Sequence, residues 1–191
     1  MNTAYFYLTD EGGKLAHKLA TAHPGDIYNK ENFKENLRAG FGKYDSLVCI
    51  MATGIVVRIL APLIVHKTSD PAVVVLDQKG KHAISLLSGH LGGANDLARE
   101  MAAISGGEAV ITTATDVADE LSFDTFAKKY DMAIENIGQL KHISGALLAG
   151  KKVNVFTNKN AKKLYPELAE ELTKAMNNEL VVDLKDVMPT Y

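Results

Sequence analysis

The chain has 191 residues, which is enough for one large domain or two small ones. Hydrophobic residues make up 47% and charged residues 23%, the balance of an ordinary globular protein. The net charge of −2 and the scattered lysines give no reason to expect a nucleic-acid partner. Because the apolar runs fall short of the ~18 residues that a membrane-spanning helix needs, and the first residues do not follow the pattern of a secretory signal, we expect a soluble, cytoplasmic protein.

The sequence offers no metal-ligand spacing and no nucleotide-binding fingerprint. Cys49 is the only cysteine, and its apolar surroundings, SLVCIM, predict a buried hydrophobic side chain rather than a nucleophile. The six histidines are dispersed, and neither a G-x-G-x-x-G run nor a P-loop occurs. We therefore predict no metal site and no organic cofactor, and an unrelated nucleotide-binding domain is disfavoured.

Strand and helix signals alternate over residues 1–116. The predicted strands are TAYFYLT, the short segment from Asp26 to Tyr28, SLVCIM, AVVVLD, HAISLL and AVITT. AVVVLD and HAISLL flank the turn QKGK and predict an antiparallel hairpin. Helices are predicted after the first strand, over about Asn32 to Ala39, after Ala52, and from Gly93 to the Gly106–Gly107 pair. This order predicts a mostly parallel, doubly wound α/β sheet that includes one antiparallel hairpin.

A second, smaller α/β domain is predicted over residues 117–191. Its predicted helices are VADELSFDTFAKKYD, KHISGALLAG and a segment around Pro166 that ends near Asn178, and its predicted strands are KKVNVFT and ELVVDL. The sequence stops a few residues beyond the last of these strands, so we expect a domain that is truncated at its end.

Four turns of the first domain are rich in glycine and hydroxyl residues. Ligands of open parallel sheets bind beyond the carboxyl ends of the strands, and glycines with helix N-termini allow close contact with an anion. Tight packing of the turns is the alternative explanation for each glycine. Taken together, the four turns predict one ligand crevice, formed by Thr9–Gly13, Ala52–Gly54, Ser88–Gly93 and Thr112–Asp116.

The turn SGHLGG and the helix after it hold the candidate catalytic residues. His90 is either a general base or a structural turn residue, and Ser88 is either a nucleophile or a turn hydroxyl. Asn95 falls on the apolar face of its helix, so its amide must be hydrogen-bonded, either to a loop or to a ligand.

Arg58 is the only charged residue in the predicted helix TGIVVRIL, which Pro62 ends or kinks. A guanidinium in such a helix pairs with a carboxylate of the substrate or of the protein, for which Asp70 is a candidate, or it reaches to solvent. The sequence leaves these two alternatives open.

The segments TGIVVRILAPLI, TSDPAVVVLDQKGKHAISLLSGHLGGANDLARE and AVITTATD together resemble the amino-terminal domain of the CbiG family, the cobalt-precorrin-5A hydrolases of anaerobic cobalamin biosynthesis. The segment FDTFAKKYDMAIENIGQLKHISGALLAGKKVNVFTN is similar, more loosely, to the central domain of the family. Members usually carry a further carboxy-terminal domain, which this sequence lacks. The resemblance therefore allows a hydrolase or a non-catalytic corrinoid-binding module whose chemistry needs that domain.

The resemblance implies a tetrapyrrole substrate that carries its own cobalt, a δ-lactone that is opened, and the release of acetaldehyde. On that basis His90 is expected to be the base, and Ser88 with the N–H groups of Gly92 and Gly93 is expected to stabilise the oxyanion. The residues expected to bind or line the substrate are Arg58, Asn95, Thr53, Gly54, Gly89, Gly92, Gly93, Thr113 and Asp116. Other enzymes of the pathway and a second copy of the chain are the expected partners.

Overall fold

The computed structural model describes residues 2–114, 137–151, 155–157 and 180–182, together with residues 123, 127, 132, 134 and 135. The chain divides into two compact units, Met1–Thr113 and Ala114–Tyr191. The predicted domain limits, 1–116 and 117–191, remain a prediction. Within the described residues, the helices are too short or too polar to cross a membrane.

The first unit is built on a six-stranded sheet, which confirms the predicted mostly parallel fold with one antiparallel pair. The order across the sheet is β2-β1-β3-β4-β5-β6. Only β4 and β5 run antiparallel to each other. The strands are β1 (Thr3–Tyr7), β2 (Asp26–Tyr28), β3 (Ser46–Ile50), β4 (Ala72–Leu76), β5 (His82–Leu87) and β6 (Glu108–Val110).

Helices cover both faces of this sheet, as a doubly wound fold requires. The helices are α1 (Asp10–Ala22), α2 (Phe33–Phe41), α3 (Thr53–Leu60) and α4 (Ala94–Ser105). Alternate residues of the strands point to opposite faces, so Val74 and Leu76 pack with α1 and α4 while Val73 and Val75 pack with α2 and α3. Both β3 and β4 are buried along their whole length, which explains their continuous apolar sequences.

The hairpin decides where each strand ends. Strands β1, β3 and β4 are parallel, so Tyr7, Ile50 and Leu76 lie at the same edge of the sheet, which we call the first edge. Because Leu76 pairs with Ala83 and Val73 with Leu87, β5 begins at the first edge and ends at the opposite, second edge. Strand β6 is parallel to β5 and therefore also ends at the second edge.

The second unit contains α5 (Leu140–Leu148), preceded by a 3-10 helix over Ile137–Gln139, and a parallel strand pair, β7 (Val155–Thr157) and β8 (Leu180–Val182). These elements confirm the predicted helix KHISGALLAG and fall within the predicted strands KKVNVFT and ELVVDL. Most of the helix predicted over VADELSFDTFAKKYD, and the whole of the one predicted to end near Asn178, lie outside the described residues.

Candidate functional site

A cavity of about 610 Å³ opens at the first edge, beyond the ends of β1, β3 and β4. This is the topological switch point of the sheet, since the chain leaves β1 towards β2 on one side while β3 lies on the other. Open α/β sheets bind their ligands in the crevice at this point. The walls are mostly apolar and the rim carries a few polar groups, as in typical ligand pockets. The lining residues are Leu8, Thr9, Ile50, Met51, Ala52, Thr53, Ile55, Val75, Asp77, Gln78, His82, Ile84 and Val110.

Thr9 joins two of the loops that form this rim. Its hydroxyl accepts a hydrogen bond from the Gly12 N–H at 3.1 Å and so caps α1. The same hydroxyl donates to Gln78 Oε1 at 3.1 Å, which ties the loop after β1 to the loop after β4. The rim is therefore held by a side-chain contact between residues 69 positions apart in the sequence.

Asp77 and His82 form the titratable part of the rim. The Asp77 carboxylate accepts hydrogen bonds from the backbone N–H groups of Lys79 and His82, both at 2.9 Å, and lies 3.6 Å from His82 Nδ1. Partial burial raises the pKa of the Asp77 carboxyl, but these hydrogen bonds and the nearby imidazole outweigh it, so the pKa is lowered. The rim thus places a carboxylate next to an imidazole, the pairing of charge and base that proton-transfer sites use.

Arg58 is exposed and folds back along its own helix, where Nη1 donates to the Gly54 carbonyl at 3.0 Å. The buried Asp70 carboxylate instead accepts the Val65 N–H at 3.0 and 3.2 Å. The suggested Arg58–Asp70 ion pair is therefore wrong, the guanidinium lies at the surface, and its pairing with a substrate carboxylate stays a prediction. Helix α3 ends at Leu60 and continues as a 3-10 helix over Ala61–Leu63, so Pro62 ends the α-helix as predicted.

The prediction that all four turns share one crevice is wrong. The turns after β1 and β3 lie at the first edge, whereas Ser88–Gly93 follows β5 and Thr112–Thr113 follows β6 at the second edge. The physical reason is the antiparallel hairpin, which reverses β5 and the strand after it. Of the predicted site residues, Thr53 lines the cavity and Gly54 and Arg58 lie beside it, while Ser88, Gly89, His90, Gly92, Gly93, Asn95 and Thr113 belong to the other edge. Asp116 lies outside the described residues.

Several polar groups of the SGHLGG turn make hydrogen bonds that hold the turn in place. The Ser88 hydroxyl is buried and donates to the Asp70 carbonyl at 2.9 Å, and Ser88 has a φ of 58°. The N–H groups of Gly93 and Ala94 donate to the carbonyls of His90 and Ser88. Because the Gly93 N–H and the Ser88 hydroxyl are engaged in the turn, the oxyanion site predicted from them would require the turn to rearrange.

Asn95 is buried, as predicted, and it ties the turns of the second edge together. Its amide accepts from the Ser85 hydroxyl at 2.6 Å and donates to Thr113 Oγ1 at 3.0 Å. Gly89 leaves room for this amide, because a Cβ there would lie 2.7 Å from Asn95 Oδ1. These contacts favour the loop tie over the ligand contact. His90 is half-buried in the turn, and these contacts do not test the role of base that the sequence predicted for it.

The cavity residues that sequence reasoning missed are Asp77, Gln78 and His82, which QKGK and its flanks presented only as a hairpin turn. The hairpin could have revealed them. The second strand of a tight hairpin begins where the first strand ends, and the first strand here ends at the ligand-binding edge of the parallel sheet. Cys49 is buried in β3 as predicted, and burial raises the pKa of its thiol to about 12.

Two family models match this chain. The model described as "Cobalamin synthesis G N-terminal" matches residues 35–116, and the model described as "Cobalamin biosynthesis central region" matches residues 121–183. The first match covers β3 to β6 and so contains most of the cavity, including the turns after β3 and β4.

Curated relatives and a solved structure agree with these matches. The cobalt-precorrin-5A hydrolase of Salmonella typhimurium is 39% identical over 88% of this chain and 50% of its own length. That of Priestia megaterium is 35% identical over 77% of this chain and 43% of its own length. A crystal structure of a cobalamin biosynthesis protein G homologue from Sulfolobus solfataricus superposes with a TM-score of 0.54 at 25% identity, over 82% of this chain and 48% of that one. The chain thus spans about half the length of the curated relatives it matches.

Proposed function

Because this chain belongs to the CbiG family, we propose that it acts in cobalamin biosynthesis by binding cobalt-precorrin-5A and hydrolysing its δ-lactone. The single observation that carries the proposal is the 39% identity to a cobalt-precorrin-5A hydrolase over 88% of the chain. The cobalt belongs to the substrate, and the proposal assigns the chain no metal or organic cofactor of its own. The proposed location is the cytoplasm, which suits a chain whose one cysteine is a buried free thiol.

We place the reacting edge of the tetrapyrrole in the cavity at the first edge. Its apolar walls suit the ring and its methyl groups, and its rim suits the acetate and propionate carboxylates of such a ligand. Arg58 would bind one carboxylate through its planar guanidinium, beside the Thr53 hydroxyl at the start of α3. Thr53, Gly54 and Arg58 are therefore kept as substrate-binding residues, while Asn95 and its neighbours hold the opposite edge of the sheet.

Opening the lactone requires a base at the mouth of this cavity. We assign that role to His82, which would take a proton from water as the water oxygen bonds to the lactone carbonyl carbon. The lactone C–O bond then breaks and its oxygen is protonated. The hydroxyl freed on the former C20 carbon then loses its proton and becomes the aldehyde oxygen, as the bond from that carbon to the macrocycle breaks. The macrocycle keeps the electron pair of this bond and takes a proton. Such a base contributes typically about 10²–10⁴-fold.

The test compares two histidines at opposite ends of β5. The chain is incubated with cobalt-precorrin-5A, binding is followed by the visible spectrum of the ligand, and acetaldehyde is measured enzymatically. His82→Gln should lower turnover by about a hundredfold or more with little change in binding, and His90→Gln should turn over normally. The reverse result would move the base to the turn SGHLGG and refute the assignment to the first edge.

A second candidate function is a corrinoid-binding module without turnover of its own. It is favoured by the length of the match, because the chain covers 50% of the length of the Salmonella relative and 43% of the length of the Priestia relative. Tight binding of cobalt-precorrin-5A with no acetaldehyde from the wild-type chain would support this candidate. In that case other enzymes of the pathway, or a second copy of the chain, are the proposed partners that complete the chemistry.

A further inference from the structure

One face of α3 exposes apolar side chains that nothing in the described part of the chain covers. Exposed positions recur at helical spacing along α3 and the 3-10 helix, and the segment that follows adds two more. Val57 is 45% exposed, Ile64 is 46% exposed and Val65 is 82% exposed. We call this surface the α3 strip; it consists of Gly54, Val57, Arg58, Ala61, Pro62, Ile64 and Val65.

The α3 strip concentrates the exposed apolar surface of the first unit. Among its described residues, Val57, Ile64 and Val65 are the large hydrophobic side chains that stand out as exposed. A contiguous apolar patch on a protein surface marks a binding surface more often than isolated exposed residues do. The strip therefore has the character of a surface that is covered by a ligand or partner.

The charged residues on the segment that forms the strip are positive. The segment from residue 46 to residue 69 contains no aspartate or glutamate, although the whole chain has a net charge of −2, and it carries Arg58 and Lys67. The next acidic residue, Asp70, is buried and its carboxylate binds the Val65 N–H. An apolar surface with a cationic border complements a ligand with an apolar centre and carboxylates at its periphery.

The strip also continues the cavity at the first edge. Thr53 and Ile55 line the cavity, and Gly54, between them, is the first residue of the strip. The Arg58 guanidinium folds back onto the Gly54 carbonyl and so lies over the first turn of α3, at the cavity end of the strip. A methyl group at Gly54 would come within 3.1 Å of Arg58 Nη1, so the glycine permits this position of the guanidinium.

We propose that the α3 strip is the platform on which one flat face of a polycarboxylate tetrapyrrole lies, with the edge of the ring directed into the cavity. The inference rests on the proposed function and adds the surface that holds the macrocycle. The ring face contacts Val57, Ile64 and Val65, and peripheral carboxylates pair with Arg58 and Lys67. The cavity then receives only the substituents at one edge of the ring.

A matched pair of alanine substitutions tests this platform. Ala61 lies in the strip and Ala103 lies on α4, on the other side of the sheet, and both are exposed. The probe is cobyrinic acid, a corrin with free peripheral carboxyl groups, and its fully esterified form serves as the neutral comparison. Ala61→Asp should weaken cobyrinic acid binding by about tenfold or more, because it places a negative charge against the ring and its carboxylates. Ala103→Asp should leave binding within about twofold.

A second variant separates the apolar from the ionic contribution. Arg58→Gln should weaken binding of cobyrinic acid but leave binding of the ester unchanged, since only the acid offers a carboxylate to the guanidinium. Dissociation constants are measured by visible-absorbance titration, and circular dichroism confirms that each variant is folded.

The outcomes distinguish this inference from the proposed function. If the wild-type chain binds neither cobyrinic acid nor cobalt-precorrin-5A, the proposed function fails and the platform with it. If the wild type binds and Ala61→Asp binds equally well, the platform is refuted while the proposed function stands. If the wild type sediments as a dimer that Ala61→Asp dissociates without changing corrinoid binding, the strip is a self-association surface and the inference is overturned.

Discussion

The contact between Gly89 and Asn95 makes a prediction that a double-mutant cycle can test. A Cβ added at Gly89 would lie 2.7 Å from Asn95 Oδ1 and 3.2 Å from both Cγ and Nδ2, so the nearest obstacles all belong to one side chain. Overpacking of this kind costs about 1–3 kcal/mol. Asn95→Ala removes the hydrogen bonds to Ser85 and Thr113, which costs about 1–3 kcal/mol if their hydroxyls are left unsatisfied.

The two substitutions should not add. Once Asn95 is alanine, the space next to Gly89 is empty, so Gly89→Ala in that background should cost little. We expect a coupling free energy of about 1–3 kcal/mol, and a double variant close in stability to Asn95→Ala alone. Gly92→Ala is the matched control, because a Cβ there would meet Ser88, including its carbonyl oxygen at 2.7 Å, which Asn95→Ala does not relieve. The cost of Gly92→Ala should therefore be the same in both backgrounds.

The assay can report on the first unit alone. Cys49 is the only cysteine and is buried in β3, so pulse labelling of its thiol in increasing urea measures the unfolding of that unit. Shifts of the midpoint at constant slope give the free-energy differences. Full additivity of Gly89→Ala and Asn95→Ala would show that the two residues do not share this space, and the packing account of the turn would be abandoned.

Three further predictions follow from the rim and the core. The pKa of the Asp77 carboxyl is lowered in the folded protein, so its charge contributes stability above the pKa of the unfolded carboxyl, and this stability is lost as the pH falls through the folded pKa. Asp77→Asn should therefore reduce the loss of stability on the acid side. Urea midpoints of the two proteins that run parallel from about pH 3 to about pH 7 would contradict this. The native Cys49 thiol, with its pKa raised to about 12, should react with thiol reagents at pH 8 only as fast as β3 opens, and labelling at the rate of a free thiol would contradict its burial. Arg58→Lys should fold normally but bind cobalt-precorrin-5A more weakly, because lysine lacks the planar fork; equal affinity would exclude a bidentate contact.

Most of the fold follows from local sequence signals. SLVCIM and AVVVLD are apolar without interruption, and only a strand with both faces covered buries such a run completely. The start of α4 after Gly93 and its end before Gly106 are also readable, since both glycines have positive φ and bound the helix on either side. These features depend on residues close together in the chain, which is why the sequence predicts them.

Arg58 shows a limit of the same reasoning. Its position in an apolar helix left a carboxylate partner and a guanidinium that reaches solvent equally open, because the sequence did not show that Val57 and Ala61 beside it are exposed as well. An apolar residue in a helix can face solvent if the helix is part of a binding surface, so composition alone does not give burial. One face of α3 is buried and the other is exposed, although both faces carry mostly apolar residues.

The location of the cavity depends on strand direction, which no single motif carries. The contiguous run SGHLGGAN attracts attention because it combines a histidine, a hydroxyl and glycines, yet much of that composition is explained by contacts within the turn and with Asn95. The cavity instead takes Thr9, Thr53 and Gln78 from three turns, and the Thr9–Gln78 hydrogen bond joins residues 69 positions apart. A site assembled from separate turns has no contiguous signature, so it can be found only by following each strand to the edge at which it ends. The hairpin between β4 and β5 is the element that decides this, because it brings Asp77 and His82 to the first edge and sends His90 to the second.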